Sequence, residues 1–213
     1  LLKGVTGSGK TEVYVRAADQ ALAMGGMSLI LVPEIALTVQ MVSYFAHHFG
    51  DDVVFIHSQL SKGERYNNRM RVERGESHVI IGSRSALFMP FKNLRLIVVD
   101  EEYDSSYKQD ETPRYNGCDL AKVMAVTYQC PIVLGAATPS VNTYYAAKTN
   151  RISLITMNKR VFETPLPEVS IVDMKQPQAL VQSPLFCDAL LHLLKKTVNG
   201  GKKAIVFLNR RGY

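Results

Sequence analysis

Cysteine and long hydrophobic runs are both scarce in this 213-residue chain. The three cysteines (Cys118, Cys130 and Cys187) are odd in number and include no C-x-x-C pair, so this sequence encodes neither a disulfide framework nor a zinc site. Hydrophobic residues make up 46% of the chain, but no apolar run exceeds about six residues, which excludes a transmembrane helix. No secretory signal peptide is visible. These absences predict a soluble globular protein of a reducing cytosol.

Both ends of the chain suggest a piece of a longer polypeptide. It begins on Leu1-Leu2, in a strand-like segment without an initiator Met, and it stops at Arg210-Arg211-Gly212-Tyr213. The length is sufficient for one domain and part of another.

Net charge is +6, but the excess of basic residues is confined to one region. Residues 195–213 contain six basic residues and no acidic one, so 19 of the 25 basic residues remain in residues 1–194 and equal the 19 acidic residues there. The main body is therefore neutral. Overall basicity alone does not predict a nucleic-acid partner.

Strand-like and helix-like segments alternate along the chain, which is typical of a parallel sheet with crossover helices. The predicted helices cover residues 10–24, 35–49, 61–74, 117–128 and 140–148. The predicted strands cover residues 28–32, 53–56, 78–81, 95–99 and 131–134. The fold class is therefore predicted to be α/β, with a mostly parallel sheet flanked by helices.

The character of the sequence changes beyond residue 150. Residues 158–183 are rich in proline and poor in long apolar stretches, as an inter-domain connection is. An amphipathic helix is predicted from Pro184, and residues 204–208 are predicted to form a buried strand. The predicted organisation is a first domain over 1–157, the connection, and the start of a second α/β domain over 184–213.

Residues 4–11 match the phosphate-binding loop pattern G-x-x-x-x-G-K-[ST] at every fixed position. The glycines let backbone N–H groups approach phosphate oxygens, and the following helix offers its positive N-terminal end. Lys10 is predicted to bind the β- and γ-phosphates, and the Thr11 hydroxyl to complete a Mg²⁺ shell. The predicted ATP-binding residues are Gly4, Val5, Thr6, Gly7, Ser8, Gly9, Lys10 and Thr11.

A second motif, Asp100-Glu101-Glu102-Tyr103, directly follows an apolar strand-like run. Asp100 is predicted to hold Mg²⁺, usually through water, and Glu101 to orient the attacking water. A chance glycine-rich loop or a solvated acidic cluster would explain either motif alone. In this order within one α/β chain, however, the two motifs predict an ATPase core. Its catalytic residues are Lys10, Asp100 and Glu101, and its metal site involves Thr11 and Asp100.

Four polar or turn residues follow three other predicted strands, at the edge where α/β proteins place ligand sites. Pro33 and Thr38 belong to a segment that suits a phosphate of a single nucleic-acid strand, or that forms an ordinary strand-to-helix turn. Arg84 is flanked by two serines, a combination that suits binding of a phosphate. The alternative is that this segment caps a helix and that Arg84 forms a surface salt bridge. Thr138 is predicted to bridge the nucleotide site and the strand-binding face.

Residues 103–116 are predicted to form a long polar loop. Tyr107 and Tyr115 alternate there with Lys108 and Arg114, a combination that suits stacking on exposed bases and contact with phosphates. Because the loop leaves directly from the Mg²⁺ carboxylate, it is placed to link DNA binding to the ATP site.

Together these motifs resemble the primosomal protein N′ (PriA) family, the bacterial replication-restart helicases of superfamily 2. The similar segments cover essentially the whole chain. In chain order they are G-V-T-G-S-G-K-T-E, L-V-P-E-I-A-L-T, G-S-R-S-A-L-F, D-E-E, S-S-Y-K-Q, P-R-Y, A-T-P-S and F-L-N-R-R-G-Y. The segments S-S-Y-K-Q and R-R-G-Y distinguish this family from generic superfamily 2 helicases.

The resemblance implies an ATP-dependent 3′→5′ DNA helicase that acts at stalled or branched forks in replication restart and primosome assembly. Residues 1–157 would form its RecA-like ATP-binding lobe, and residues 184–213 the start of its second lobe. ATP and Mg²⁺ are the implied cofactors. Zinc is expected in a cysteine-rich part of the parent protein, and none in this chain. An arginine finger is expected in the rest of the second lobe, so the isolated chain should hydrolyse ATP poorly.

The resemblance also implies partners and a location. The partners are branched and single-stranded DNA, other primosome proteins and single-stranded-DNA-binding protein, with no membrane involved. The location is the bacterial cytoplasm, in association with the nucleoid. Tyr107, Lys108, Arg114 and Tyr115 would lie in an aromatic-rich coupling loop.

Three positions depart from the family pattern. Tyr103 replaces the His of D-E-E-H, residues 116–118 lack a His and an Arg of the pattern, and Ala136 replaces the first Ser of S-A-T-P-S. A tyrosine donates a hydrogen bond but carries no charge near neutral pH. An alternative hypothesis is therefore a fork-DNA-binding module that uses ATP as a switch without productive unwinding. A small-molecule kinase shares the phosphate loop but leaves the matches after residue 30 unexplained.

Overall fold

The computed structural model of this chain describes residues 1–33, 39–162, 167–175 and 186–208. These residues belong to two compact units, Leu1–Thr164 and Pro165–Tyr213. The division between the units falls within the proline-rich connection that the sequence indicates. The functional domain boundaries assigned to the chain from its sequence stay predictions.

A seven-stranded, wholly parallel sheet forms the centre of the first unit. Its spatial order is β3-β4-β2-β5-β8-β1-β9. Two further strands, β6 and β7, pair as a separate antiparallel hairpin. The strands are β1 (Leu2–Gly4), β2 (Met27–Leu31), β3 (Val53–Ile56), β4 (Val79–Gly82), β5 (Leu94–Val99), β6 (Lys108–Gln109), β7 (Tyr115–Asn116), β8 (Ile132–Ala136) and β9 (Ile155–Met157).

In the first unit, helices cover the sheet, and its described residues include short 3₁₀ turns at Gly50–Asp52, Arg84–Phe88 and Ser105–Tyr107. The helices are α1 (Lys10–Ala23), α2 (Val39–Phe49), α3 (Lys62–Arg74), α4 (Gly117–Thr127), α5 (Val141–Lys148) and, in the second unit, α6 (Asp188–Asn199). The elements predicted between residues 10 and 148 are confirmed to within a few residues wherever the structure describes them. Residues 35–38 of the second predicted helix lie outside the described residues.

Alternating side chains on the central strands build the two halves of the core. Leu29 and Ile30 are adjacent in β2, and both are fully buried. Leu29 packs in a cluster with Ala121 of α4, whereas Ile30 packs in a cluster with Val15 of α1. Because strands of a parallel sheet are buried on both faces, they read as continuous apolar runs, as β2 does here.

Two helix starts are set by short polar side chains. Ser61 Oγ accepts from the Glu64 backbone N–H at 3.2 Å, and Glu64 Oε2 accepts from the Ser61 N–H at 2.9 Å. This reciprocal pair forms a capping box at the start of α3. At α4, Asn116 Oδ1 accepts from the backbone N–H groups of Cys118 at 2.8 Å and Asp119 at 3.2 Å. Asn116, which departs from the family pattern, therefore caps a helix.

The predicted strand over residues 204–208 is wrong for this structure. Residues 202–208 form neither strand nor helix, and the side chains of Ile205 and Phe207 are 98% and 85% exposed. A strand forms only where a neighbour satisfies its backbone hydrogen bonds. Within the described part of residues 165–213 there is no other strand to supply them. The predicted helix start at Pro184 lies outside the described residues, and α6 is observed from Asp188.

None of the helices in the described segments is long and apolar enough to cross a membrane. In the first unit, the parallel order brings the carboxyl ends of β1, β2, β4, β5 and β8 to one edge of the sheet. Ligand sites of α/β proteins lie at this edge.

Candidate active site

The segment between β1 and α1 folds as a tight loop that suits a phosphate group. Gly7 and Gly9 have φ values of +79° and +88°, a region in which glycine carries little steric cost. A Cβ added to Gly4 would lie 2.5 Å from Ser8 Oγ, so any larger residue would displace the Ser8 side chain. Ser8 Oγ is buried and has no hydrogen-bond partner among the described residues. A closed loop with an unsatisfied buried hydroxyl fits an anionic ligand.

The ammonium group of Lys10 connects the two predicted motifs. Its Nζ donates to the Gly4 carbonyl at 3.0 Å and lies 3.7 Å from Glu101 Oε1. The first residue of α1 therefore faces a carboxylate that follows β5, some ninety positions further along the chain. The phosphate loop and the acidic motif therefore converge in the structure.

Asp100 lies at the end of β5 in a partly buried position. Its backbone N–H donates to the Leu31 carbonyl at 2.8 Å, and its Oδ1 accepts from the Tyr14 hydroxyl at 2.7 Å. Burial raises the pKa of the Asp100 carboxyl, whereas the Tyr14 hydrogen bond and the charge of Lys10 act in the opposite direction. Burial also raises the pKa of Tyr14, so this phenol stays protonated and donates.

Glu101 adopts a left-handed backbone conformation, with φ at +46°. Such a conformation is uncommon for a residue with a side chain and requires support from its surroundings. The support comes from both neighbours, since the Asp100 N–H binds the Leu31 carbonyl and the Glu102 N–H binds the Gly135 carbonyl at 3.0 Å. Glu101 Oε2 also accepts from the Ala137 N–H at 3.4 Å. The carboxylate is thereby directed between β8 and Lys10.

Glu102 is the buried acid of the motif, and the sequence analysis assigned it no role. Its Oε1 accepts from the Ser140 N–H at 2.7 Å, and its Oε2 accepts from the Thr143 hydroxyl at 3.0 Å. Ser140 caps α5 by accepting from the Thr143 N–H at 3.3 Å. Glu102 thus ties the acidic motif to the start of α5. The one sequence feature that pointed to this contact is the A-T-P-S motif, because its last residue is Ser140.

The segment that follows the acidic motif is more ordered than the predicted long loop. It contains the 3₁₀ turn Ser105–Tyr107 and the β6–β7 hairpin. Tyr107 is only 1% exposed, and its hydroxyl donates to the Asp100 carbonyl at 2.6 Å. The prediction that Tyr107 stacks on exposed bases is therefore wrong for this structure, because its ring lies in the core. Its hydrogen bond to Asp100 is compatible with the predicted coupling role, which stays a prediction.

Lys108 and Arg114 remain on the surface of the hairpin. Lys108 Nζ lies 2.9 Å from Asp110 Oδ1, and Arg114 Nε donates to the Asp110 carbonyl at 3.0 Å. Both side chains are exposed and available to a ligand. Their predicted contact with DNA stays a prediction.

Arg84 and Tyr115 connect the hairpin to the 3₁₀ turn after β4. An Arg84 guanidinium N–H donates to the Lys108 carbonyl. Tyr115 is half-buried and packs edge-to-face on Phe88, with 5.6 Å between the ring centroids. Arg84 therefore binds protein backbone here, and the alternative surface salt bridge is not found among the described residues. Its predicted phosphate contact stays a prediction.

The remaining predicted positions lie at the same sheet edge or outside the described part. Pro33 is buried immediately after β2, and Thr138 is exposed after β8. Thr38 lies outside the described residues. The substituted Ala136 is fully buried at the end of β8, whereas the substituted Tyr103 is half exposed beside the acidic motif.

Among the described residues, no cluster of three or more His, Cys, Asp or Glu side chains could hold a metal ion.

Comparison with known families decides how this site is classified. The DEAD/DEAH box helicase family matches residues 1–146, which is more than half of the chain. The chain belongs to the DEAD/DEAH box helicase family. The loop around Lys10 and the acidic motif at Asp100 both lie within the matched region.

Curated relatives confirm the narrower resemblance. The chain is 44% identical over its full length to the replication restart protein PriA of Bacillus subtilis (strain 168), of which it covers 26%. It is 40% identical over its full length to the PriA proteins of Chlamydia trachomatis and Rickettsia typhi, of which it covers 29% and 33%. The chain therefore spans between a quarter and a third of the length of these relatives.

Solved structures support the predicted RecA-like lobe. The structure of RecG bound to a three-way DNA junction aligns with a TM-score of 0.53 at 20% identity, covering 74% of this chain and 20% of that one. The helicase MrfA aligns with a TM-score of 0.54 at 18% identity, covering 99% of this chain and 34% of that one. These similarities concern the fold.

Proposed function

We propose that the protein containing this chain is an ATP-dependent 3′→5′ DNA helicase that acts at stalled or branched replication forks, in replication restart and primosome assembly. This chain would be its ATP-binding lobe. The observation that carries the proposal is the approach of Lys10 Nζ to 3.7 Å from Glu101 Oε1, with Asp100 adjacent in sequence at the end of β5. The full-length match to PriA proteins supports the role in replication restart.

The residues of the loop fit the triphosphate of ATP. Backbone N–H groups of residues 4–11, together with Lys10, would bind the phosphates, and Thr11 and Asp100 would hold Mg²⁺. The metal supplies charge neutralisation on the phosphates when it is bound. Glu101 would orient the attacking water, because its left-handed backbone and the Ala137 N–H hold its carboxylate at the sheet edge. Lys10 would exchange its bond to the Gly4 carbonyl for a phosphate oxygen.

ATP hydrolysis by the full-length protein tests this proposal. We expect single-stranded or forked DNA to stimulate hydrolysis, and Lys10→Ala to lower the stimulated rate by at least about a hundredfold. The exposed lysine Lys92 provides a control, since Lys92→Ala should leave the rate unchanged. Unwinding of a duplex with a 3′ single-stranded tail, and not of one with a 5′ tail, tests the polarity.

Two outcomes would overturn the helicase proposal. A hydrolysis rate indifferent to DNA, with forks still bound normally, would favour the DNA-binding module that uses ATP as a switch. An unchanged rate of ATP hydrolysis in Lys10→Ala would show that the phosphate loop is not the site of the activity.

The finer parts of the proposal come from the family resemblance. We expect zinc in another part of the parent protein, and partners among the primosome proteins and single-stranded-DNA-binding protein. We expect a cytoplasmic location in association with the nucleoid. The chain by itself should hydrolyse ATP slowly, because stabilisation by an arginine from the second lobe contributes about 10³–10⁵ in rate to such enzymes. Metal analysis and co-purification of the full-length protein test these points.

A further inference from the structure

A cavity of about 450 Å³ lies away from the nucleotide site, between α3 and the 3₁₀ turn Arg84–Phe88. We call it the α3 pocket. It opens near the carboxyl ends of β3 and β4, because Ile56 ends β3 and Ser85 follows β4. Its volume falls in the range of about 300–1,000 Å³ that is typical of small-molecule sites.

The interior of the α3 pocket is apolar and its sides are aromatic. Ile56 and Met89 are buried and form part of its lining. The rings of Tyr66 and Phe88 also line it, and these side chains are 62% and 57% exposed. The edge-to-face contact with Tyr115 holds the Phe88 ring. Two exposed aromatic rings beside an apolar floor offer stacking surfaces that the protein core leaves unused.

Three cations from one face of α3 complete the lining. Lys62, Arg65 and Arg69 recur at helical spacing and all line the cavity. No acidic residue lines it, and none of the three cations is paired with a carboxylate in the segments the structure describes. Within the described residues, the polar contact found for them is a hydrogen bond of 3.5 Å from Arg65 to the Ser58 carbonyl. No carboxylate of the described residues therefore neutralises their positive charge.

We propose that the α3 pocket binds one unpaired nucleotide of single-stranded DNA. The base would lie against Tyr66 and Phe88, and Lys62, Arg65 and Arg69 would bind the adjoining phosphates. The combination of exposed aromatic rings with unneutralised cations is the recognition chemistry of single strands, because each base offers a face for stacking and each phosphate a charge. An acidic polypeptide would use the cations and leave the aromatic rings without a role. The inference rests on the proposed DNA-dependent function.

The pocket is tested by measuring the affinity of a fluorescent oligo(dT) for the full-length protein. The wild type is compared with the Tyr66→Ala and Arg69→Ala variants. We expect Tyr66→Ala to weaken binding about tenfold, as the loss of one stacked base does, and Tyr66→Phe to preserve it. Arg69→Ala should reduce the slope of log K against log salt concentration by about one, because one phosphate contact is lost.

Matched controls lie outside the pocket. Tyr145 on α5 is 61% exposed, nearly the same as Tyr66, so Tyr145→Ala removes an equivalent surface aromatic ring. Arg74 belongs to α3, does not line the cavity and is ion-paired with Glu76, so Arg74→Ala removes one positive charge from the same helix outside the pocket. Thermal unfolding of every variant verifies that the fold is preserved.

A single abasic site, moved along the oligonucleotide, tests whether a base enters the pocket. When the abasic site occupies the position that enters the pocket, the affinity of the wild type should fall about as much as it does in Tyr66→Ala. The same abasic oligonucleotide should bind Tyr66→Ala no more weakly than the intact one does. Additive losses at every position would overturn the proposal, since Tyr66 and the base would then act independently.

The experiment separates this inference from the helicase proposal. If the wild type binds DNA and hydrolyses ATP in response while Tyr66→Ala and Arg69→Ala match their controls, the pocket assignment is wrong and the proposed function stands. If the wild type shows neither DNA binding nor DNA-stimulated hydrolysis, the proposed function fails and the pocket assignment fails with it. A loss of affinity limited to the pocket variants supports both.

Discussion

The hydroxyl of Tyr14 in α1 donates a 2.7 Å hydrogen bond to Oδ1 of Asp100 at the end of β5. The carboxylate predicted to hold Mg²⁺ is thus oriented by a buried tyrosine from the helix that follows the phosphate loop. The bond favours the ionised form of Asp100 and offsets part of the effect of its burial. Helix α1 therefore contributes to the site at two places, at Lys10 and one turn later at Tyr14.

Replacing Tyr14 by phenylalanine should shift the pH dependence of hydrolysis. Loss of the hydroxyl removes a hydrogen bond that lowers the pKa of Asp100, so that pKa should rise further. We expect the acidic limb of the kcat/KM profile to move to higher pH and the free energy of unfolding to fall by about 1 kcal/mol. Tyr44→Phe is a matched control, because Tyr44 donates to Glu12 at the surface. An unchanged acidic limb would contradict the assigned role of Tyr14.

Replacing Asp100 by asparagine should stabilise the protein while abolishing hydrolysis. Burial raises the pKa of Asp100, so its ionised form costs folding free energy, and this cost grows as pH rises through the raised pKa. We expect Asp100→Asn to increase the free energy of unfolding at pH 7 by on the order of 1 kcal/mol. The difference should shrink as pH falls through the ordinary Asp pKa of about 3.9 and vanish well below it, where the wild-type carboxyl is protonated in both states. Denaturant unfolding at several pH values measures it, and a destabilised variant at pH 7 would refute the argument.

Removing the Glu102 carboxylate should weaken the connection between the acidic motif and α5. Glu102→Ala leaves the Ser140 N–H and the Thr143 hydroxyl without their acceptor in a buried position. We expect a loss of about 2–3 kcal/mol in the free energy of unfolding. Glu111→Ala, at an exposed position, should change it by less than about 0.5 kcal/mol. A double-mutant cycle with Thr143→Ala should show strong coupling, and additive effects would contradict the network.

Two glycine-to-alanine substitutions should have opposite effects. A Cβ at Gly135 would lie 1.8 Å from the Tyr14 hydroxyl oxygen and 3.3 Å from Asp100 Oδ1. Gly135→Ala should therefore displace this pair, cost about 1–3 kcal/mol and impair hydrolysis. Gly63 lies in α3 with open space around the added Cβ, so Gly63→Ala should stabilise the protein by roughly 0.5 kcal/mol. Thermal and denaturant unfolding test both variants, and equal effects would contradict the steric argument.

The phosphate loop and the acidic motif were predictable because their chemistry is local. Gly7 and Gly9 need positive φ values, which glycine adopts readily, and Lys10 has a fixed distance from them along the chain. The strands were predictable because apolar runs of four to six residues indicate burial on both faces. The capping box at Ser61 is also local, since both partners lie within four residues.

Other features depended on contacts that no local pattern reports. Tyr14 has an unremarkable position in an amphipathic helix, and only the packing of α1 against the sheet brings it to Asp100. The sequence predicted a role for Glu101 and none for Glu102, and only the structure shows that Glu102 is buried while Glu101 faces Lys10. Tyr107 fits a surface loop by its polar neighbours, yet the 3₁₀ turn directs its ring into the core.

The sequence by itself determined the α/β class, the phosphate loop and the identity of the acidic motif, because each depends on residue spacing within a short segment. Only the tertiary structure decided which acid supports which element, that Tyr107 is buried, and that residues 204–208 do not form a strand. The physical reason is that burial, hydrogen bonding between distant side chains and strand pairing require a partner from elsewhere in the chain. The α3 pocket is of this second kind, since Tyr66 and Phe88 come together only when α3 packs beside the turn that follows β4.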